Sequence, residues 1–148
     1  MLKVGDNAPD FELKNQDGEL RSLKNYKDKT LILYFYPRDD TPGCTKEACS
    51  LTKDISALNK KGFAVVGISK DSVESHRKFK SKYKIAFDLL SDEDKKTIKD
   101  YKVWIKKKLY GREFMGVARN TFIIEKGKIK KIFMEVDTAN HSNQILKG

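Results

Sequence analysis

The sequence predicts an α/β fold of three layers, α/β/α, built on a mixed central sheet with a β-hairpin at its N-terminal end. Three patterns carry that expectation. The runs Leu31 to Tyr36 and "FAVVGIS" (63–69) are apolar almost throughout, as in strands covered on both faces. Between them Ala48, Leu51, Ile55 and Leu58 recur at spacings of three and four, the period of a helix. Near the end, "NTFIIEKGKIKKIFM" (120–134) reads as a strand, a Lys-Gly turn and a returning strand.

The elements follow in chain order. "FELKN" and "QDGELRSL" alternate around Asp17-Gly18, a hairpin turn signal. The strand at 31–36 leads to one helix from Cys44 to Lys61, closed by Gly62, and then to the strand at 63–69. Strand, helix and strand within about 40 residues make a βαβ unit of right-handed connection. Asp71 or Ser72 can cap a helix carrying Val73, Phe79 and Tyr83; a short strand at "AFDLL" (86–90) and a helix opened by "SDED" come next. The hairpin at 120–134 follows, and "DTANHSNQIL" forms a last short helix. No linker, low-complexity segment or repeat interrupts this order, so residues 1–148 are expected to form one domain.

Composition narrows the classes of function. The longest apolar stretch, "LILYFYP", is too short to span a bilayer, and "MLKVGDNAPDF" lacks the apolar core of a signal peptide, so the expected location is cytoplasmic and no membrane partner is expected. In a reducing compartment, two neighbouring cysteines are more often catalytic, redox-sensing or buried than a permanent disulfide. The formal net charge is +10, yet the lysines are scattered and mixed with acids, and the one dense run, "IKKK" at 105–108, accompanies no nucleic-acid motif. A solvated basic surface explains the charge, and no nucleic-acid partner is expected. Two cysteines with only His76 and His141, both remote in sequence, give no zinc-ligand pattern, so no metal is expected.

Chemistry concentrates in "YFYPRDDTPGCTKEAC" (34–49), which holds both cysteines. Pro37 ends a strand, Thr41 is a natural N-cap, Pro42 suits the first helical position and Gly43 permits close approach of the backbone. Cys44 then lies in a helix's first turn, where unpaired N–H groups and the dipole favour a thiolate. Acidity alone gains little. Lowering a thiol's pKa from ~8.5 to ~6 raises its thiolate fraction at pH 7 roughly thirtyfold, and a Brønsted coefficient of ~0.4–0.5 removes about tenfold of that. A fast reaction must therefore come mainly from donors aimed at developing charge. The candidates are the N–H groups of Gly43 and Cys44, the Thr41 hydroxyl, and an arginine: Arg119, placed by "VARNTFII" just before a buried strand, or its rival Arg38 in the same corner.

Five residues along a helix separate Cα atoms by ~8.7 Å, and a disulfide needs them within ~7 Å. Cys44 and Cys49 cannot bond while the helix is intact. Either Cys49 is an unrelated core residue or the helix start unwinds during a catalytic cycle, an opening that costs little beside opening the core.

Pro37, Thr41 and Cys44 in "PRDDTPGC" stand in the register of the peroxiredoxin signature Pro-x-x-x-Thr-x-x-Cys, and Arg119 matches that family's active-site arginine. With "APDFEL" and "YKVWIKKKLYGREFMGVARNTFII", the chain resembles the bacterioferritin comigratory, or Q-type, branch over nearly its whole length. The resemblance implies a thioredoxin-like fold and reduction of hydrogen peroxide and organic hydroperoxides, as antioxidant defence and without a metal or organic cofactor. It makes Cys44 the peroxidatic thiolate and Cys49 the resolving thiol, joined in an intrachain disulfide that thioredoxin or a similar dithiol protein reduces. It gives Thr41 a hydrogen bond to thiolate and peroxide, Pro37 the shielding of a sulfenic acid, Gly43 a backbone N–H, and Arg119 the orientation of sulfur and departing charge. Glu47 either holds Arg119 or is a solvated acid at a helix start. Trp104, Tyr110 and Phe114 precede Arg119 and either line the pocket or belong to the core, and His141 reads as a surface or capping residue. A monomer or weak homodimer is expected. A thiol–disulfide oxidoreductase or redox sensor acting on proteins is the competing reading, weakened by the lack of CxxC; a basic binding module with incidental cysteines is the third.

Overall fold

The computed structural model describes residues 2–147. Its elements are β1 (Glu12–Lys14), β2 (Leu20–Ser22), a 3-10 turn (Leu23–Tyr26), β3 (Thr30–Phe35), α1 (Pro42–Lys53), α2 (Ile55–Lys60), β4 (Phe63–Ser69), α3 (Val73–Tyr83), β5 (Asp88–Ser91), α4 (Lys96–Asp100), β6 (Trp104–Leu109), β7 (Arg112–Val117), β8 (Thr121–Glu125), β9 (Lys128–Phe133) and α5 (His141–Lys147). Seven strands form one sheet in the order β2-β1-β5-β4-β3-β8-β9. β3 is parallel to β4, and β4 to β5; β3 is antiparallel to β8, and β8 to β9. The mixed sheet therefore changes direction at β3, the strand that leads into the cysteine segment.

Side-chain alternation explains why β3 is apolar at every position. Leu31, Leu33 and Phe35 enter the core on one face with Val66, Ile68, Ile98, Tyr101 and Phe122. Ile32, Tyr34 and Tyr36 enter the other with Ala48, Leu51, Leu58, Phe79, Leu89 and Ile145. Each fully buried side chain of this size contributes ~1.5–3 kcal/mol. The first core is closed by α4, the second by α1, α2, α3 and α5, which makes the α/β/α layering.

Two elements depart from the sequence expectation. The helix expected to run on to Lys61 starts at Pro42 behind Thr41, as the corner predicts, but breaks at Asp54, whose φ of −105° and ψ of 16° leave the helical region. Asp54 Oδ2 there accepts the Ser142 hydroxyl at 2.5 Å, so a contact from α5 occupies the break. The second departure is an additional hairpin, β6–β7, paired antiparallel from Trp104↔Val117 to Leu109↔Arg112. Its lysine-rich first strand is poor in β-formers, which hid it. The Tyr110-Gly111 turn, with φ of 51° and 77°, was the signal that could have found it. Ser72 caps α3, its hydroxyl accepting from Ser75 N at 3.1 Å.

Candidate active site

Pro37 follows β3 and carries no N–H with which to extend the ladder. The next residues turn sharply. Asp40 has a φ of 56°, and its carboxylate accepts from Lys82 Nζ (2.8 Å) and the Tyr83 hydroxyl (2.7 Å) on α3. Asp39 turns inward instead. Its Oδ1 accepts from the Tyr36 hydroxyl (2.6 Å) and its Oδ2 from the Ser75 hydroxyl (2.8 Å), while its backbone N–H donates to Asp71 Oδ2 (2.9 Å). His76, fully buried, donates from Nε2 to Leu90 O (2.9 Å), which can only accept. Its Nδ1 lies 2.7 Å from Asp39 Oδ2, a hydrogen bond between ring and carboxyl. α3 thus fastens both halves of the Arg38–Asp40 corner.

Asp39, Asp71 and His76 are the residues that bring potential metal ligands together among the described residues. Asp39 and Asp71 already accept from the Tyr36, Ser75 and Ser69 hydroxyls and from the Asp39 N–H, so the cluster reads as a hydrogen-bonded fastening. Sequence reasoning missed it, because nothing local to His76 points to a residue 37 positions away.

Thr41 takes the extended N-cap conformation (φ −101°, ψ 156°), but its side chain does not cap α1. Its hydroxyl donates to Arg38 O at 2.9 Å, leaving oxygen lone pairs free to accept. Pro42 and Gly43 follow, and Cys44 is the third residue of α1, 1% exposed. Its Sγ accepts a hydrogen bond from Arg119 Nη2 at 3.3 Å. Gly43 makes this approach possible, since a Cβ there would sit 3.1 Å from Arg119 Nη2.

Arg119 sits between β7 and β8, anchored by Ala118 N to Val103 O (2.7 Å) and by Phe35 N to Asn120 O (2.9 Å). Its Nη1 donates to Glu47 Oε1 at 2.9 Å, one turn along α1 from Cys44. One guanidinium thus bridges sulfur and carboxylate. Burial works against its charge, but Cys44 and Glu47 outweigh that and hold Arg119 above its ordinary range. The rival Arg38 is exposed, and its carbonyl oxygen accepts from the Thr41 hydroxyl.

Glu47 is no solvated helix-start acid: it is fully buried. Burial pushes its carboxyl up to about 7, opposed by the Arg119 charge and hydrogen bond. The sign for stability follows. The unfolded carboxyl loses its proton near 4.5 and the folded one near 7, so between those values stability falls as pH rises, by about 3 kcal/mol, and then levels off. Glu47→Gln should remove that decline, giving a variant more stable than the parent at pH 8 by a similar amount in urea titrations. Parallel pH dependences for parent and variant would refute this.

His141 corrects the surface expectation. It is fully buried at the start of α5, because its ring packs edge-on against Phe133 and both nitrogens find partners: Thr121 Oγ1 at Nε2 (2.8 Å) and Gln144 Oε1 at Nδ1 (2.9 Å). Its Nε2 also lies 3.7 Å from Glu47 Oε2. Cys49, half-buried, is a free thiol on the same unbroken helix as Cys44. Of the aromatic candidates, Tyr110 stands at the hairpin tip, 95% exposed; Trp104 packs on the first core, with Lys95 Nζ 5.4 Å from its ring centre. Phe114 is exposed on β7.

The sequence model of the AhpC/TSA family matches residues 4–132. The chain is 41% identical to peroxiredoxin Bcp of Bacillus subtilis, over 99% of this chain and 94% of that protein, and 40% identical to peroxiredoxin Bcp of Escherichia coli, over 98% and 94%. Among solved structures, the bacterioferritin comigratory protein of Xanthomonas campestris, studied for alkyl peroxide reduction, aligns with a TM-score of 0.86 at 32% identity, covering 93% of this chain and 88% of that one.

Proposed function

The chain belongs to the AhpC/TSA family and is a thiol peroxidase with the thioredoxin-like fold of the Bcp and PrxQ peroxiredoxins, and from that premise we propose that peroxide oxidises Cys44 and that Cys49 resolves the product. The observation that carries the proposal is the Arg119 guanidinium on the Cys44 sulfur at a helix N-terminus.

The Cys44 thiolate attacks the distal oxygen of a hydroperoxide, hydrogen peroxide or an organic one. The S–O bond forms, the O–O bond breaks, and the departing alkoxide or hydroxide takes a proton to leave as alcohol or water. Arg119 and the N–H groups at the start of α1 face the place where that negative charge develops. Thr41, donating to Arg38 O, accepts the hydroperoxide O–H and fixes its direction. Pro37 limits water at the resulting sulfenic acid, and Gly43 keeps the backbone open to Arg119 and substrate.

Resolution needs motion. Cys44 and Cys49 share α1, so their Cα atoms stand ~8.7 Å apart, and a disulfide forms only after the first turns unwind. The Cys49 thiol gives up its proton and its sulfur displaces hydroxide from the Cys44 sulfenic acid, the S–S bond forming as the S–O bond breaks, and the hydroxide takes that proton and leaves as water. A dithiol protein, thioredoxin or one like it, returns both thiols by exchange. A reducing compartment such as the cytoplasm suits that cycle.

Adding one equivalent of hydrogen peroxide to the reduced protein should consume it and lower the intact mass by two hydrogens. Unchanged mass with peroxide remaining overturns the assignment. Cys49→Ser should react once and stall as sulfenic or higher acids; normal turnover by that variant with thioredoxin would remove Cys49 from the cycle.

A further inference from the structure

Behind Arg119 lies a buried arrangement that the peroxide reaction as written does not use. Glu47 accepts from Arg119 through Oε1 alone; its Oε2 has no hydrogen-bond donor among the described residues and faces His141 Nε2 at 3.7 Å. One nitrogen of that ring is fixed by its surroundings. Gln144 Oε1 accepts from Asp137 N (2.8 Å) and its Nε2 donates to Glu135 O (3.1 Å), which settles the amide's orientation. His141 Nδ1, facing that oxygen, therefore carries a proton, and Nε2, 2.8 Å from Thr121 Oγ1 and 3.7 Å from Glu47 Oε2, is the ring position at which a second proton is held or absent.

The charges on this cluster must balance in a site where Cys44, Glu47 and His141 are buried and Arg119 is about one quarter exposed. Arg119 brings one positive charge, and two groups compete for it: Cys44 and Glu47. With Glu47 ionised and His141 neutral, a Cys44 thiolate would leave a net negative charge buried, which is costly. With one proton on the Glu47–His141 pair, as Glu-H and His or as Glu⁻ and His⁺, the pair is neutral and Arg119 answers only to sulfur. We propose that Glu47 and His141 hold one proton between them while Cys44 is a thiolate, which makes His141 a positioning residue for the peroxide reaction, acting through Glu47 on Arg119. This rests on the assignment of Cys44 and Arg119 above.

The other groups facing the pair do not supply that proton. Tyr34 from β3 is held neutral by burial, and Lys107 from β6 is pushed below its ordinary range by its burial and by the Arg119 charge. On the α5 side, Asp137 favours charge on His141. Burial raises Glu47 to about 7 and lowers His141, so the shared proton sits on the carboxyl and is lost as the pH rises through about 7.

The test is the rate of Cys44 oxidation by hydrogen peroxide between about pH 5 and pH 9 in rapid mixing, with the thiolate fraction followed separately. The parent should show an inflection near pH 7 beyond that of the thiol, and Glu47→Gln should lose it. His141→Leu should move the inflection upward by about one pH unit, as the carboxylate loses its polar neighbour. Gln144→Glu keeps His141, places a carboxylate on Nδ1, favours the imidazolium and should move the inflection downward, which covers the case that His141→Leu does not fold. In the Glu47→Gln background, His141→Leu should change the rate by less than about twofold, since coupled sites do not add. An undiminished effect there, or no movement in either direction, overturns the proposal. A parent that consumes no peroxide instead overturns the assignment beneath it.

Discussion

Cys44→Ser should reduce peroxide consumption to that of buffer without protein, and its mass should stay unchanged with one equivalent of peroxide. The physical reason is that an alcohol at this position is protonated at any working pH, whereas the thiolate is itself the nucleophile. Burial makes the result diagnostic. Cys44 is 1% exposed in the second core, and serine differs from it by one atom, so the fold should survive. A circular-dichroism spectrum and melting profile like the parent's, with no peroxide consumed, is the expected pairing. Peroxide consumption retained at even a tenth of the parent rate would move the chemistry to Cys49 and reverse the roles of the two thiols.

Arg119→Met should slow oxidation of Cys44 by ~10²–10³-fold at matched thiolate fraction, the effect of removing one donor aimed at developing charge. Matching is essential, because the guanidinium touches ground-state sulfur too, at 3.3 Å, and the rate is proportional to the thiolate present. Rapid mixing with hydrogen peroxide, normalised to the thiolate's ultraviolet absorbance, separates the two effects. Arg119→Lys should fall between, since a single ammonium cannot span Cys44 Sγ and Glu47 Oε1 as the fork does. A rate within a few-fold of the parent's at matched thiolate would leave the α1 N–H groups as the source of stabilisation.

These two residues were legible in the sequence for different reasons. Cys44 is announced by its neighbours: Pro37, Thr41, Pro42 and Gly43 encode a strand-to-helix corner within eight positions, and the structure makes that corner as read, apart from the Thr41 side chain. Arg119 was reached through its place before a buried strand and through family resemblance, since 72 residues separate it from Glu47. The helix limits were blurred where a tertiary contact intervened. Ser142 of α5 meets Asp54 at the break, and no pattern in "LTKDISAL" (51–58) marks that position.

What the sequence alone determined was the set of regular elements in the sheet core and the corner that carries Cys44, because periodicity, turn residues and caps act over a few neighbours. What only the tertiary structure decided was the polar interior: Asp39 fastened to His76, and Glu47 placed between Arg119 and His141. Every one of these charged or polar side chains would read as a surface residue by its type. Burying one is tolerable only against a partner of matched chemistry, and that partner arrives from a different element, positioned by how β3, α1, α3 and α5 pack around the second core.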